Sequence, residues 1–395
     1  MTPIPASLPT PELALLLECA RPRLDEGASV RIRALAAGPL DWELLHALAV
    51  EHGVFPLLSL HLRDVAGNIL PSDSLAKMSE LSRSHSILCL SFVAELFHIL
   101  ELFRVAGISA VPYKGPVLAA QAYGDPALRV FSDLDLILRH SDVARACGLL
   151  AEQGYQSQIP LAAVSAGRVP GQFPFVRPGS RVHVELHTER TLRYFPRRLN
   201  LEEMLRRLQS ISVNGREVLT FSAEDTLSLL CVHGSKHFWE RLMWIADIAA
   251  LVQQPQGMNW QLCVAQAGLL GARRMVHLGV LLAENLLQAS LPETVKSQVH
   301  ADRGAVALAS QVQRRYLAGD RAIPRIFERM QFRVRMRGAI VPGTAYLLRL
   351  ATAPTEEDWA SAPPRRPFSF LQRVLRPFRL VRKYGLGRKR TGDLD

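Results

Sequence analysis

Apolar and polar positions change their period along this chain near residue 105. Before it, apolar residues recur at helical spacing. Residues 1–10 read as a loose tail, and Pro11 to Ala20 has helical character. Asp41 to Leu62 (DWELLHALAVEHGVFPLLSLHL) reads as two helices broken at Gly53 and Pro56. Ser72 to Phe103 reads as one long helical stretch. Its most apolar run, Ile87 to Phe103, carries Glu95, His98 and Glu101 near one stripe, which predicts an amphipathic buried helix and not a membrane span. From Gly107 the pattern turns to short runs. ISAVPY predicts a strand, Lys114-Gly115-Pro116 a turn, and VLAAQAYG a helix ended by Gly124. FSDLDLIL is the next strand. Ser141 is then placed as an N-cap with Asp142 in the first turn, and the helix closes at Gly154. Residues 160–180, rich in Gly, Pro and Ser, read as a loop.

RVHVELH (Arg181 to His187) alternates with period two. Val182, Val184 and Leu186 fall on one face, His183, Glu185 and His187 on the other. Val213 to Phe221 predicts a hairpin turning at Asn214-Gly215. Ser222 opens a helical region on a capping-box pattern with Asp225 in the acidic place. Trp260 to Leu287 continues it, with a break at Gly268 and Gly271. Past residue 300 the chain is arginine-rich, and a Pro-rich stretch, Ala353 to Pro367, precedes a basic segment, Phe368 to Arg390. There is no internal repeat. The expected architecture is α/β (α+β): a helical N-terminal region (1–105), a core with a small mixed β-sheet (106–221), a helical C-terminal lobe (222–300) and a basic helical extension with a Pro-rich linker (301–395).

Of the 395 residues, 48% are hydrophobic and 21% charged, ordinary globular composition with material for a sizeable core. Net charge is +11 and pI about 9.8, so an acidic partner is expected: nucleotide, nucleic acid or anionic membrane. The cysteines (19, 89, 147, 231 and 263) are odd in number and include no CxxC, which fits a reducing cytosol. The N-terminus lacks an early basic region and carries prolines where a signal peptide needs an apolar core. The expected location is cytoplasmic, with the inner face of the membrane as a peripheral alternative.

The chemistry gathers between Val111 and Leu138. On a strand, Asp133 and Asp135 share one face, while Leu134, Leu136 and Leu138 point into a core. Two carboxylates so close repel. Either they line a solvent-facing edge strand or they hold a divalent cation, for which Mg²⁺ is suited because it takes one or two carboxylates and leaves positions for phosphate oxygens. Gly115 opens a helix whose N-terminus favours anions. Pro116 is tolerated there but donates no N–H. Lys114 is either a phosphate-binding cation or an ordinary solvated lysine. Arg129 either binds phosphate or pairs with the aspartates. His233, His237 and Arg241 recur at i, i+4 and i+8, with Lys236 and Glu240 on an adjacent stripe. This is either a nucleotide-binding face, with Lys236 on the triphosphate, or a rigid basic stripe. HGSKH lacks the glutamate of a zinc-protease helix. Asp247 is expected to pair with a nearby basic residue, and Trp239, Trp244 and Leu251 to pack.

The ordered set Lys114-Gly115, Tyr123-Gly124-Asp125-Pro126 with Arg129, Asp133-Leu134-Asp135 and Val184-Glu185-Leu186-His187 resembles the nucleotidyltransferase superfamily of the DNA polymerase β-type fold. Within it, the set is similar to a bacterial, largely uncharacterised group distantly related to lincosamide nucleotidyltransferases. Two further elements belong to the likeness: His52-Gly53-Val54 with Pro56-Leu57-Leu58, and His233-Gly234-Ser235-Lys236-His237 with Trp239, Arg241, Leu242, Trp244 and Asp247-Ile248-Ala249. The likeness covers roughly residues 40–255. It implies a Mg²⁺-dependent (or Mn²⁺-dependent) transfer of NMP from an NTP to a hydroxyl, with release of pyrophosphate. Asp133 and Asp135 would bridge the metals and triphosphate, and Glu185 would hold the second metal and take the acceptor's proton. From their place on the strand face, His183 and His187 either line the site, orienting Glu185, contacting substrate or ligating metal, or belong to a plain surface strand. The acceptor class stays open: small molecule, sugar, protein side chain or tRNA. The rival expectation is a non-catalytic scaffold or binding protein that kept the fold. In the C-terminal segment, arginines and lysines interleaved with Phe368, Phe370, Leu371 and Phe378 suit an anionic membrane, nucleic acid, the protein's own surface or a disordered tail.

Overall fold

The computed structural model describes residues 9–157, 172–189, 199–318 and 326–338, with residues 161, 164, 197, 343, 344, 346 and 348. The basic segment Phe368 to Arg390 and the Pro-rich stretch before it lie outside the described residues.

Five helices come first: α1 (Pro11–Cys19), α2 (Glu26–Ala36), α3 (Trp42–Glu51), α4 (Phe55–Ala66) and α5 (Ser72–Val105). Side chains of Thr10, Asp25 and Asp41 cap the first three by accepting an N–H two or three residues into the helix. Gly53, at φ +68°, turns the chain between α3 and α4, and Pro56 sits in the first turn of α4 where its missing N–H costs nothing.

A five-stranded sheet follows in the order β1-β2-β5-β4-β3, formed by β1 (Ala110–Pro112), β2 (Asp133–Leu138), β3 (Gln156–Ser157), β4 (Gln172–Val176) and β5 (His183–His187). Strands β2 and β5 run parallel, and the other pairings are antiparallel. Helices α6 (Gly115–Tyr123) and α7 (Val143–Glu152) connect within it. Leu134, Leu136, Leu138, Val184 and Leu186 bury one face together with Phe92, Leu96, Ile99 and Phe103 of α5. Helix α5 is long and apolar enough to cross a membrane by length and composition alone.

Two local expectations need correction. The stretch read as a loop, 160–180, contains β4; Phe173 and Phe175 turn into the core at period two, and the glycines and prolines around them masked that alternation. Ser141 is not the cap of α7: it lies in a 3-10 turn (His140–Asp142), and Asp142 stands at the N-cap without a side-chain bond to the backbone. The hairpin of β6 (Gln209–Val213) and β7 (Arg216–Thr220) turns on Asn214 and Gly215, both with positive φ, as the Asn-Gly pair predicts.

The rest is helical: α8 (Leu201–Leu205), α9 (Ala223–Lys236), α10 (Leu242–Val252), α11 (Trp260–Leu269), α12 (Arg273–Leu287), α13 (Glu293–Ala301), α14 (Arg303–Leu317) and α15 (Ile326–Met336). Ser222 caps α9 by accepting from Asp225 N–H. The Asp225 carboxylate does not reach back to close a box; Arg207 holds it at 2.9 Å. The N-terminal helices and these C-terminal helices share one continuous apolar core, running from Leu15 and Leu58 through Leu229 and Ile245 to Leu281 and Leu308.

Candidate metal and nucleotide site

Strand β2 lies inside the sheet, between β1 and β5, and Asp135 is 2% exposed. A solvent-facing edge strand is therefore excluded. The parallel register sets Asp135 directly beside Glu185, and Asp133 beside His183. Period-two alternation then puts Asp133, Asp135, Glu185 and His187 on the same side of the sheet. His183 is exposed and His187 buried. Ligand atoms of Asp135, Glu185 and His187 lie within 4.8 Å of one another, whereas Asp133 stands outside that group.

Asp135 is held from two sides. His187 Nε2 is 2.6 Å from its Oδ1, and Lys114 Nζ donates to the same oxygen at 3.1 Å. Glu185 Oε2 lies 3.4 Å from His187 Nε2 and accepts from Gln172 Nε2 at 2.5 Å. The Tyr113 ring packs edge-on to His187 at 5.7 Å and lies 5.2 Å from Lys114 Nζ. Lys114 is thus not an ordinary solvated lysine. Burial works against its charge, but Asp135 more than offsets this and raises its pKa. Burial likewise opposes ionisation of Asp135, yet Lys114 and His187 hold it below the usual carboxylate range. Asp133 is less well compensated: burial first, then Asp135, pushes its carboxyl up to about 7 against the opposing charges of Lys114 and Arg129. Burial of His187 favours the neutral ring, but its bonds to Asp135 and Glu185 push it up to about 9.

Two buried polar atoms test whether the site suits a cation. Asp135 Oδ2 makes no hydrogen bond, though Lys114 Nζ stands 3.1 Å away, and His187 Nδ1 has no partner either. An unsatisfied carboxylate oxygen beside a second carboxylate and an imidazole is a donor set that a hard divalent cation completes. Carboxylates and an imidazole together fit such an ion.

Gly115 starts α6 at φ +57°, where a Cβ would stand 3.1 Å from the Asp133 carbonyl oxygen. The Lys-Gly pair therefore does two jobs: glycine lets the helix start press against β2, and the lysine before it reaches Asp135.

Arg129 is elsewhere. The sequence reading set it on phosphate or on the aspartates; it forms a buried ion pair with Asp247 of α10, Nε to Oδ1 at 2.9 Å. Tyr123 donates its hydroxyl to the same carboxylate at 3.0 Å. The arginine and tyrosine of the YGDP segment thus meet the aspartate of DIA, and together they pin the site's backing to the C-terminal lobe. The expected basic partner of Asp247 is Arg129.

The stripe of His233, His237 and Arg241 also needs correction. Helix α9 ends at Lys236, His237 caps it, and Phe238 and Trp239 adopt φ of +58° and +55°. Arg241 begins α10 instead, and Glu240 is not on α9 with Lys236. The cause is Trp239, fully buried between two glycines: a Cβ on Gly234 would stand 2.6 Å from its ring, and one on Gly279 2.9 Å. The histidines still gather, with His233 and His237 rings 4.7 Å apart and Trp244 at 5.4 and 5.3 Å. Burial and then the charge of Lys114 hold His233 well below its usual pKa. Burial, then Lys236 and Lys114, lower His237 to about 3. The charge of Lys114 thus reaches both rings from beside the acidic strands.

The His52-Gly53 segment meets the same lobe. The His52 carbonyl accepts from Met243 N–H at 3.0 Å, and a Cβ on Gly53 would stand 2.5 Å from Met243 Sδ. Sequence reasoning missed Gln172 and Tyr113. Gln172 lay in the apparent loop, and Tyr113 carries no pattern beyond preceding Lys114.

No curated protein matches the chain. Among solved structures, an antigenic nucleotidyltransferase-like protein from Paracoccidioides brasiliensis is similar at 18% identity, over 54% of this chain and 94% of that one, with a TM-score of 0.28, too slight a likeness to carry the fold. A family described as "Uncharacterised nucleotidyltransferase" matches residues 38–288, a span that takes in the glycine at 53, both acidic strands and the turn around Trp239. The chain belongs to this nucleotidyltransferase family.

Proposed function

We propose that this protein is a divalent-metal-dependent nucleotidyltransferase that moves an NMP from an NTP to a hydroxyl acceptor. The observation that carries the reading is the register of β2 and β5, which brings Asp135 and Glu185 side by side in a buried setting with Lys114 against them. Asp133, Asp135 and Glu185 would hold Mg²⁺ or Mn²⁺, which supplies charge neutralisation at the α-phosphate and the departing pyrophosphate. Lys114 would release Asp135 to the ion and turn its charge to the triphosphate. Lys236, Arg241 and the neutral edges of His233 and His237 would line the phosphate side of the cleft, with Gly115 letting α6 approach. The acceptor oxygen attacks the α-phosphorus, the bond to the β-phosphate oxygen breaks, and the proton passes to Glu185. Small molecules, sugars, protein side chains and tRNA all offer such a hydroxyl. Arg129 supports this site through Asp247 and does not touch phosphate.

The test is calorimetric titration of the full chain with each NTP in the presence and absence of Mg²⁺ or Mn²⁺, repeated on Asp133→Asn/Asp135→Asn. Metal-dependent binding lost in the double variant is the expected result. Binding that ignores both metal and the substitutions would instead mark a scaffold that kept the fold. Incubating cell extract with each radiolabelled NTP then shows which class of acceptor becomes modified, RNA included, and a membrane or nucleic-acid pull-down addresses the basic C-terminal segment. A cytoplasmic location, at most peripheral to the membrane, accords with five buried free thiols.

A further inference from the structure

Helix α15 lies beyond the span that matches the family, yet it packs on the turn that ends α9. Phe332 meets Phe238 at 5.3 Å between ring centres. Two guanidinium groups stand at that same Phe238 ring, Arg329 at 5.3 Å and Arg333 at 5.1 Å. Arg329 is partly offset by Glu240 at 3.9 Å. Among the described residues, Arg333 and the neighbouring Arg241 have no carboxylate partner. Lys236 adds a third positive charge next to His237. All three charges bear on His237, and like charges repel.

The way Arg333 is held matters. Stacking on Phe238 occupies a face of the guanidinium and leaves its N–H donors, which lie in the plane, available. Five donors in a fixed fork match the oxygens of phosphate. Half-burial and the aromatic contact restrict the side chain before any ligand arrives, so less entropy is lost on binding. His237, stacked on His233 and Trp244, offers no competing charge. The field of Arg333 and Arg241 reaches His237, as does that of Lys114 from the acidic strands. His237 therefore lies within reach of both Lys114 and Arg333 of α15.

We infer that Arg333, together with Arg241, binds the terminal phosphates of the nucleoside triphosphate, so that the C-terminal helix completes the polyphosphate side of the cleft. This rests on the nucleotidyltransferase reading and deepens it. The alternative anion, the backbone of a nucleic-acid acceptor, would also meet basic side chains, but this pair and Lys114 act on the same imidazole, His237, and the proposed function brings the α-phosphate to Lys114.

Calorimetry on the full chain, with Mg²⁺ present, compares the tightest NTP, the matching NMP, inorganic tripolyphosphate and a short single-stranded RNA. Proteins tested are wild type, Arg333→Gln, Arg333→Lys and Arg329→Gln. The expected result is NTP and tripolyphosphate binding weakened roughly tenfold in Arg333→Gln, as loss of one charge-assisted contact implies. NMP binding stays within twofold of wild type, and Arg333→Lys recovers part of the loss. Arg329→Gln, which removes the other stacked guanidinium, reports what a merely structural change at Phe238 does, and it leaves the NTP-to-NMP ratio unchanged. If wild type binds NTP and Arg333→Gln binds it equally well, the inference is wrong. Equal loss of NTP and NMP, or a loss confined to the RNA, overturns it too. If wild type binds no NTP at all, the failure lies one step earlier, in the transferase reading.

Discussion

The ion pair of Arg129 and Asp247 sets up a sharp experiment. Both side chains are almost wholly buried, with Nε 2.9 Å from Oδ1. At an effective dielectric near 20, charges at that spacing attract by about 6 kcal/mol, most of which goes to offset their desolvation. Removing one partner is the costly perturbation. Asp247→Leu strands a buried guanidinium and deprives the Tyr123 hydroxyl of its acceptor, so a loss of about 3–5 kcal/mol is expected. Arg129→Met strands the carboxylate, softened by Tyr123, and should cost about 3 kcal/mol. The double variant Arg129→Met/Asp247→Leu leaves no orphaned charge and should recover about 2 kcal/mol relative to the sum of the singles. Urea denaturation followed by tryptophan fluorescence measures each midpoint, provided the slopes agree between variants. Additive singles would mean the pair is not coupled. If Arg129→Met keeps its stability but loses NTP affinity, the guanidinium serves phosphate after all, and the assignment of Arg129 to the supporting frame is refuted.

Three other outcomes follow from the same packing. Gly234→Ala would drive a Cβ to 2.6 Å from the Trp239 ring, so a destabilisation of about 1–3 kcal/mol with red-shifted fluorescence is expected; a silent substitution would mean the turn relaxes freely. Tyr316→Phe removes the hydroxyl that donates to the Trp239 carbonyl at 2.8 Å and should cost about 1–3 kcal/mol by urea midpoint, with the far-UV spectrum unchanged. Burial holds His46, His61, His85, His233, His237 and His277 below the ordinary imidazole value of 6.5, so the folded chain takes up fewer protons than the unfolded one as pH falls through that value. Their contribution is present above pH 6.5 and lost below it. Asp133 and His187, both pushed up, act the other way, and the His187 part disappears as pH rises through about 9. Melting temperature should therefore drop between pH 6.5 and 5, and His237→Gln should flatten that limb; a flat wild-type profile over this range would contradict the burial of these rings.

Much of the sheet could be read from the residues because alternation is local. Val182, Val184 and Leu186 against His183, Glu185 and His187 needed no tertiary information, nor did Asn214-Gly215 or the glycine that ends α6. What pattern alone could not reach was pairing. Nothing in the spacing of Asp133, Asp135 and Glu185 tells which acids become neighbours; parallel register decides it, and it selects Asp135 with Glu185 and His187 while leaving Asp133 apart. Arg129 sits four residues from Asp133 in sequence, and proximity along the chain misled, because its buried partner comes more than a hundred residues later. The helical stripe failed for a related reason. Residues 233–241 fit a continuous helix by period, but a buried indole needing two glycine neighbours overrides the period. Strand β4 was hidden by composition, since Gly, Pro and Ser dominate around two core phenylalanines.

The contact between Gly53 and Met243 ties the N-terminal helices to α10 of the C-terminal lobe. The space a side chain at position 53 would take is filled by the sulfur of Met243, which closes that position to anything larger than hydrogen. Any side chain at 53 would also be strained by the left-handed backbone there, so relatives should keep glycine at 53 whatever stands at 243. A fragment cut free of its leading helices would not inherit a working cleft: it would carry an uncovered apolar wall where those helices had been.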